Sequence, residues 1–115
     1  ACPHRPVISL QSDGGAMYTL QALWTQARES LNVTTILFSN HKYQILQTEL
    51  ARAGITDPGP IANSLTDLAN PELNWCQLAQ GMGVPATRPT TIQQFQKILT
   101  ATTKEPGPHL IELML

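Results

Sequence analysis

The chain has 115 residues, 42% of them hydrophobic, enough for one domain with a packed core and too short for two. Only 13% are charged, about half the usual share, and Lys+Arg 7 against Asp+Glu 8 leaves a net charge of −1. That balance excludes a nucleic-acid binder driven by phosphate neutralisation and a polybasic membrane anchor, no apolar run approaches the ~20 residues of a spanning helix, and so little charge predicts faces covered by other protein.

The elements alternate along the chain. Val7-Ile8-Ser9-Leu10 is a β-prone run bounded by Pro6 and the turn-forming Ser12-Asp13-Gly14-Gly15. Leu20, Leu23, Trp24, Ala27 and Leu31 form one apolar stripe at helical spacing, which predicts a helix from about Ala16 to Leu31. Val33 to Phe38 is almost wholly β-branched or apolar without alternation, the pattern of a strand buried on both faces of a parallel sheet. Strand, helix and strand in about thirty residues make a βαβ unit.

A second helix is predicted from Tyr43 to Ala53, with Leu46, Leu50 and Ala53 on its apolar side and Gly54 past its end. Residues 55–70 read as a long loop. A helix from Glu72 to Gln80 carries Leu73, Cys76 and Leu78, and Val84 to Arg88 predicts a short strand. Thr90 or Thr91 caps a helix with Ile92, Phe95, Ile98 and Leu99, and Pro106-Gly107-Pro108 breaks it before a last strand, His109 to Leu115. The fold class is α/β, a mainly parallel sheet with helices on both faces.

Cys2 and Cys76 form no CxxC motif, so neither a zinc site nor a redox dithiol is indicated. Both are read as reduced thiols of a cytoplasmic protein, with Cys76 packing a helix. No secretory signal opens the chain. Its start at Ala1-Cys2-Pro3, without Met, reads as a processed or cut-out segment. Trp24 and Trp75 are expected in a core or interface, Met17 and Met82 in packing. His41 reads as an exposed loop histidine, Glu49 and Glu72 as solvated helix residues.

The chemistry concentrates at two strand ends. Asp13 follows the first strand and Asn40 the second, which puts both at the C-terminal edge of a parallel sheet, where open α/β sheets bind ligands. Asp13 also precedes a turn of small residues opening a helix, whose N–H groups suit a phosphate. A carboxylate, an amide oxygen and a helix start together match the needs of Mg²⁺ with a diphosphate. Each residue alone has a plainer use: Asp caps helices and Asn makes Asx turns.

Ser12-Asp13-Gly14, then 24 residues, then Ser39-Asn40 resembles the GDG…NN signature of thiamine-diphosphate enzymes. Tyr18, Ala22-Leu23-Trp24-Thr25, Leu78-Ala79-Gln80-Gly81-Met82-Gly83-Val84 and Gly107-Pro108-His109-Leu110-Ile111-Glu112 are similar to the acetolactate synthase and benzoylformate decarboxylase members. The resemblance runs from Val7 to the end, and the whole chain, residues 1–115, looks like part of that family's C-terminal cofactor-binding domain, without the domain's upstream part.

The resemblance implies thiamine diphosphate and Mg²⁺ as cofactors. By position, Asp13 and the Asn40 side-chain oxygen would ligate Mg²⁺ with the Lys42 carbonyl. Gly14, Gly15 and Ala16 would offer N–H groups to the diphosphate, Tyr43 would lie beside it, and Leu46 would face the thiazolium. Ser12 and Ser39 depart from the signature; Ser12 would restrict the backbone before Asp13. The implied activity is decarboxylation or ligation of 2-keto acids by a lyase or transferase. The implied partners are the rest of the parent enzyme and the N-terminal domain of a neighbouring subunit, in a homo-oligomer, dimer or tetramer, with neither nucleic acid nor membrane; the isolated chain would be inactive.

Two further readings belong to other classes. A phosphoacceptor receiver module has about this length and an Asp at a strand end, but needs an acidic pair and a late-strand Lys; only Lys104, in a turn, is near that place. A non-catalytic assembly domain would explain the low charge.

Overall fold

The computed structural model describes residues 5–115, so Cys2 and His4 lie outside the described residues. Four parallel strands form one sheet in the order β1-β2-β4-β3: β1 Val7–Ser12, β2 Val33–Ser39, β3 Ala86–Thr87 and β4 His109–Met114. The long β-branched run becomes β2, a central strand flanked by β1 and β4 and buried from Thr34 to Leu37. β1 sits at the edge, and its apolar side chains stay outside the core; Leu10 is 68% exposed.

Among the described residues six helices connect the strands: α1 Asp13–Ala16, α2 Ala22–Arg28, α3 Gln44–Arg52, α4 Pro60–Leu65, α5 Trp75–Gly81 and α6 Ile92–Thr102. The core joins Leu23 of α2, Leu37 of β2, Trp75 and Ala79 of α5, Val84 just before β3 and Leu110 of β4, with Ala16 at the end of α1. α6 packs on β4 and starts where Thr91 Oγ1 accepts the Gln94 N–H at 3.2 Å, as the threonine pair predicts.

Several expectations need correction. The helix predicted from Ala16 to Leu31 is two pieces. Tyr18 and Thr19 bond back three residues, to the Gly15 and Ala16 carbonyls, as do Ala22 and Leu23 to Thr19 and Leu20. These tight turns interrupt the helix while keeping Leu20, Leu23 and Ala27 against the core. Trp24 and Leu31 leave the stripe; Trp24 is 52% exposed, and the Arg28 guanidinium stands 4.9 Å from its ring centroid.

Leu46, Leu50 and Ala53 do not dock α3 on the core, since that helix buries none of its residues. The stretch 55–70 is not all loop, because Pro60 occupies the first turn of α4, where its fixed φ and missing N–H are harmless. α5 starts three residues later than predicted: the Asn74 side chain accepts the Gln77 N–H at 3.0 Å and sets the boundary. Met17 is exposed rather than packed. Among the described residues, no helix is long and apolar enough to cross a membrane.

Candidate cofactor site

The register pairs Ser12 with Phe38, so Asp13 and Asn40 emerge together at the C-terminal edge of the sheet. Asp13 is almost fully buried. Its Oδ1 accepts the Gly14 N–H at 2.8 Å. Its Oδ2 accepts the His41 N–H at 2.7 Å, the Asn40 N–H at 3.1 Å and the Ser39 hydroxyl at 3.3 Å. His41 takes a left-handed conformation, φ 55°, which turns two successive backbone N–H groups toward one carboxylate oxygen. The loop is held from below: Leu68 N–H donates to the His41 carbonyl and Tyr43 N–H to the Thr66 carbonyl. His41 is half-buried here, not an exposed loop residue.

The predicted site residues converge. Gly14, Gly15, Asn40, Lys42, Tyr43 and Leu46 line one groove of about 220 Å³. Asp13 lies in the same turn as Gly14 and Gly15, buried and bonded to Asn40. Ala16 closes the turn with its methyl in the core, on the side away from the groove. Gly14 carries a close approach. A Cβ there would stand 2.9 Å from Cδ1 of Tyr43 and 3.5 Å from the Lys42 carbonyl oxygen, so the absent side chain lets the 40–43 loop pack onto α1. The Tyr43 ring also faces Tyr18, centroids 6.2 Å apart.

Several groove residues escaped the sequence reading. Ser12, read as a departure, is the N-cap of α1: φ −93° and ψ 155° are ordinary extended values, and its Oγ accepts the Gly15 N–H at 3.2 Å. The expected restriction before Asp13 therefore creates no strain. A serine three residues before a turn N–H was the available signal. Ser39, the second departure, is fully buried and donates to Asp13. Gln44 and Ile45 also line the groove, and no spacing rule singles them out; Tyr18, which the family resemblance picked out without a role, lines it too.

The donor set fits a hard cation with phosphate oxygens. Asp13 Oδ1 accepts one hydrogen bond and keeps a lone pair. Asn40 Oδ1 accepts only the Lys42 N–H, at 3.0 Å, and the Lys42 carbonyl accepts no backbone N–H among the described residues. Among those residues no cluster of three His, Cys, Asp or Glu exists, so an all-protein cage is not what the turn offers. One carboxylate with neutral oxygens suits Mg²⁺, which keeps waters and takes substrate phosphates.

The profile of the family described as thiamine pyrophosphate enzyme, C-terminal TPP binding domain, matches residues 1–113. The chain belongs to this family. Thiamine diphosphate with Mg²⁺ is the family's cofactor, and the fold is that of its binding domain. A Mycobacterium tuberculosis protein described as a candidate acetolactate synthase large subunit is 51% identical over 116 residues, covering 100% of this chain and 22% of the relative. The benzoylformate decarboxylase of Pseudomonas aeruginosa is 31% identical, covering 98% of this chain and 20% of the relative. Among solved structures, a Rhodococcus jostii thiamine diphosphate-dependent 4-hydroxybenzoylformate decarboxylase superposes with a TM-score of 0.82 at 29% identity, over 96% of this chain and 20% of that one. The chain spans about a fifth of the length of these relatives.

The receiver reading fails on geometry as well as family. Lys104 lines a cleft with Pro6, Asn32 and Thr34, at the N-terminal edge of the sheet, opposite to Asp13.

Proposed function

We propose that the chain is one domain of a larger thiamine-diphosphate enzyme, and that it holds the Mg²⁺–diphosphate end of the cofactor while that enzyme decarboxylates or ligates 2-keto acids. The observation that supports this best is the buried Asp13 carboxylate, whose bonds come only from neutral donors, beside Asn40 and Lys42 oxygens that keep free lone pairs. Asp13 brings the one formal negative charge of this donor set, and Asn40 Oδ1 and the Lys42 carbonyl bring dipoles. Gly14, Gly15 and Ala16, in the first turn after β1, present N–H groups toward the diphosphate at the positive end of α1. The Gly14 N–H must exchange Asp13 Oδ1, and the Gly15 N–H the Ser12 hydroxyl, for phosphate oxygens.

The bound cofactor supplies carbanion stabilisation, and the protein supplies its binding and orientation. Tyr43, seated against Gly14, walls the diphosphate; Leu46, on the groove side of α3, excludes water from the reacting end. The rest of the enzyme, including an N-terminal domain from a neighbouring subunit, completes the site in a homo-oligomer, dimer or tetramer. Acetolactate synthase and benzoylformate decarboxylase chemistry are the two forms of this reading, carried by the relatives' descriptions.

Calorimetric titration of the whole native protein with thiamine diphosphate tests it. Binding in Mg²⁺ that disappears under a chelator, and that Asp13→Ala abolishes more completely than Asn40→Ala, supports the assignment. Equal binding in chelator, or a larger loss in Asn40→Ala, contradicts it.

A further inference from the structure

The two oxygens of Asp13 are unequally occupied, and Ser39 contributes to the difference. Oδ2 accepts three hydrogen bonds, from the His41 N–H at 2.7 Å, the Asn40 N–H at 3.1 Å and the Ser39 hydroxyl at 3.3 Å. A carboxylate oxygen has about two lone-pair sites, so Oδ2 keeps none for a metal. Oδ1 accepts only the Gly14 N–H, at 2.8 Å, the donor that would pass to the diphosphate. Asp13 therefore has one oxygen to offer a cation, and the donors on the other oxygen decide which one.

The three donors are not equivalent. The Asn40 and His41 N–H groups belong to the loop that follows β2, the loop that also carries Lys42. Ser39 is the last residue of β2, in register with Met114 of β4, and its carbonyl accepts the Leu115 N–H at 2.9 Å. It is fully buried, and its hydroxyl has Asp13 as its one side-chain partner among the described residues. A buried hydroxyl that gives up its partner forfeits its hydration without return, so this bond is kept. It anchors the carboxylate to the sheet as well as to the loop. We propose that Ser39 is a positioning residue, whose hydroxyl holds Asp13 Oδ2 so that Oδ1 alone meets Mg²⁺. This rests on the Mg²⁺–diphosphate reading above. Mg²⁺ demands a near-octahedral shell at ~2.0–2.1 Å, whereas Ca²⁺, at ~2.3–2.6 Å, accepts both oxygens of one carboxylate. Loosening Oδ2 therefore costs Mg²⁺ more than it costs Ca²⁺.

The test measures Mg²⁺ and Ca²⁺ affinities of the whole native protein by calorimetry at a fixed excess of thiamine diphosphate, beside the unfolding midpoint in chelator. Removing a hydrogen-bond partner of a metal ligand commonly costs tenfold or more in metal affinity, so Ser39→Ala should weaken Mg²⁺ about tenfold. It should weaken Ca²⁺ by less, which moves the preference between the two ions toward Ca²⁺. Ser39→Cys keeps the shape with a weaker donor and should fall between Ser and Ala; it serves if Ser39→Ala fails to fold. A merely structural hydroxyl lowers the midpoint in chelator and leaves the ratio of the two affinities where it was. That unmoved ratio, or an undiminished Mg²⁺ affinity in either folded variant, overturns the role of Ser39 and leaves the Mg²⁺–diphosphate reading standing. Absence of metal-dependent binding in the unaltered protein overturns both.

Discussion

Two carboxylates are buried at the sheet, and they are neutralised in opposite ways. Glu112, on β4, is fully buried, and the Arg88 guanidinium meets it with two hydrogen bonds, Nε at 2.9 Å and Nη2 at 3.0 Å. That pairing holds the arginine above its already high ordinary value, chiefly through the hydrogen bond. The Cys76 thiol, 3.5 Å from Glu112 Oε2, is pushed up by burial first and by that carboxylate second, so it stays a protonated donor. Asp13 is equally buried but faces backbone N–H groups and one hydroxyl, with no cation among its partners. Burying a charge costs heavily unless a counter-charge arrives. One carboxylate carries its cation within the sheet; the other is held by neutral N–H and hydroxyl donors at the C-terminal edge of the sheet, where the proposed Mg²⁺ would supply its counter-charge.

The sharpest way to break this comparison is to orphan Glu112. Arg88→Ala leaves an uncompensated buried charge and should cost about 3–5 kcal/mol, read as a loss of urea midpoint. Adding Glu112→Gln should recover part of that loss. If Arg88→Ala is near-neutral, burial alone does not make a carboxylate depend on a cation, and the argument for Asp13 weakens with it. Ser12→Ala acts at the other site and should be milder. It removes the α1 cap, worth about 1 kcal/mol, and releases the Gly15 N–H. Stability should fall modestly while thiamine-diphosphate affinity holds or improves; a lost affinity would make the Ser12 hydroxyl a contact of the cofactor instead.

The smallest effect separates the carboxylates from a nearby histidine. Burial lowers the His109 imidazole below its ordinary 6.5, against a weaker opposing pull from Glu105. The unfolded state then binds the proton more readily, so stability is full above about 6.5 and declines as pH falls from there through the lowered value. Denaturation midpoints between pH 7.5 and 5 should show this decline, and His109→Gln should flatten it. A slope that survives the substitution belongs to other groups.

The readable parts of the sequence were those with a dense local signal. The unbroken β-branched run of β2 declared a central parallel strand, because burial on both faces removes the alternation. The spacing of Asp13 and Asn40 declared one sheet edge, because parallel strands align their C-terminal ends. The break between α1 and α2 was hidden, since Leu20, Leu23 and Ala27 keep helical spacing across tight turns. α4 is six residues and buries none of them, so no periodicity marked it. Ser12 and Ser39 looked like departures because their roles are hydrogen bonds to particular atoms, Gly15 N–H and Asp13 Oδ2, which composition does not encode.

The central proposal is that Asp13 ligates Mg²⁺. Asp13→Asn keeps the size of the residue and removes its charge. The decisive measurement is thiamine-diphosphate affinity of this variant in the whole native protein, across a Mg²⁺ titration, beside its unfolding midpoint. A Mg²⁺ ligand predicts affinity reduced at least about tenfold, partly restored by excess Mg²⁺ through mass action, with a midpoint equal to or above that of the unaltered protein. Unchanged affinity in a normally folded Asp13→Asn protein would leave Asp13 only a structural acceptor tying the Ser39–His41 segment to α1 and contradict the account.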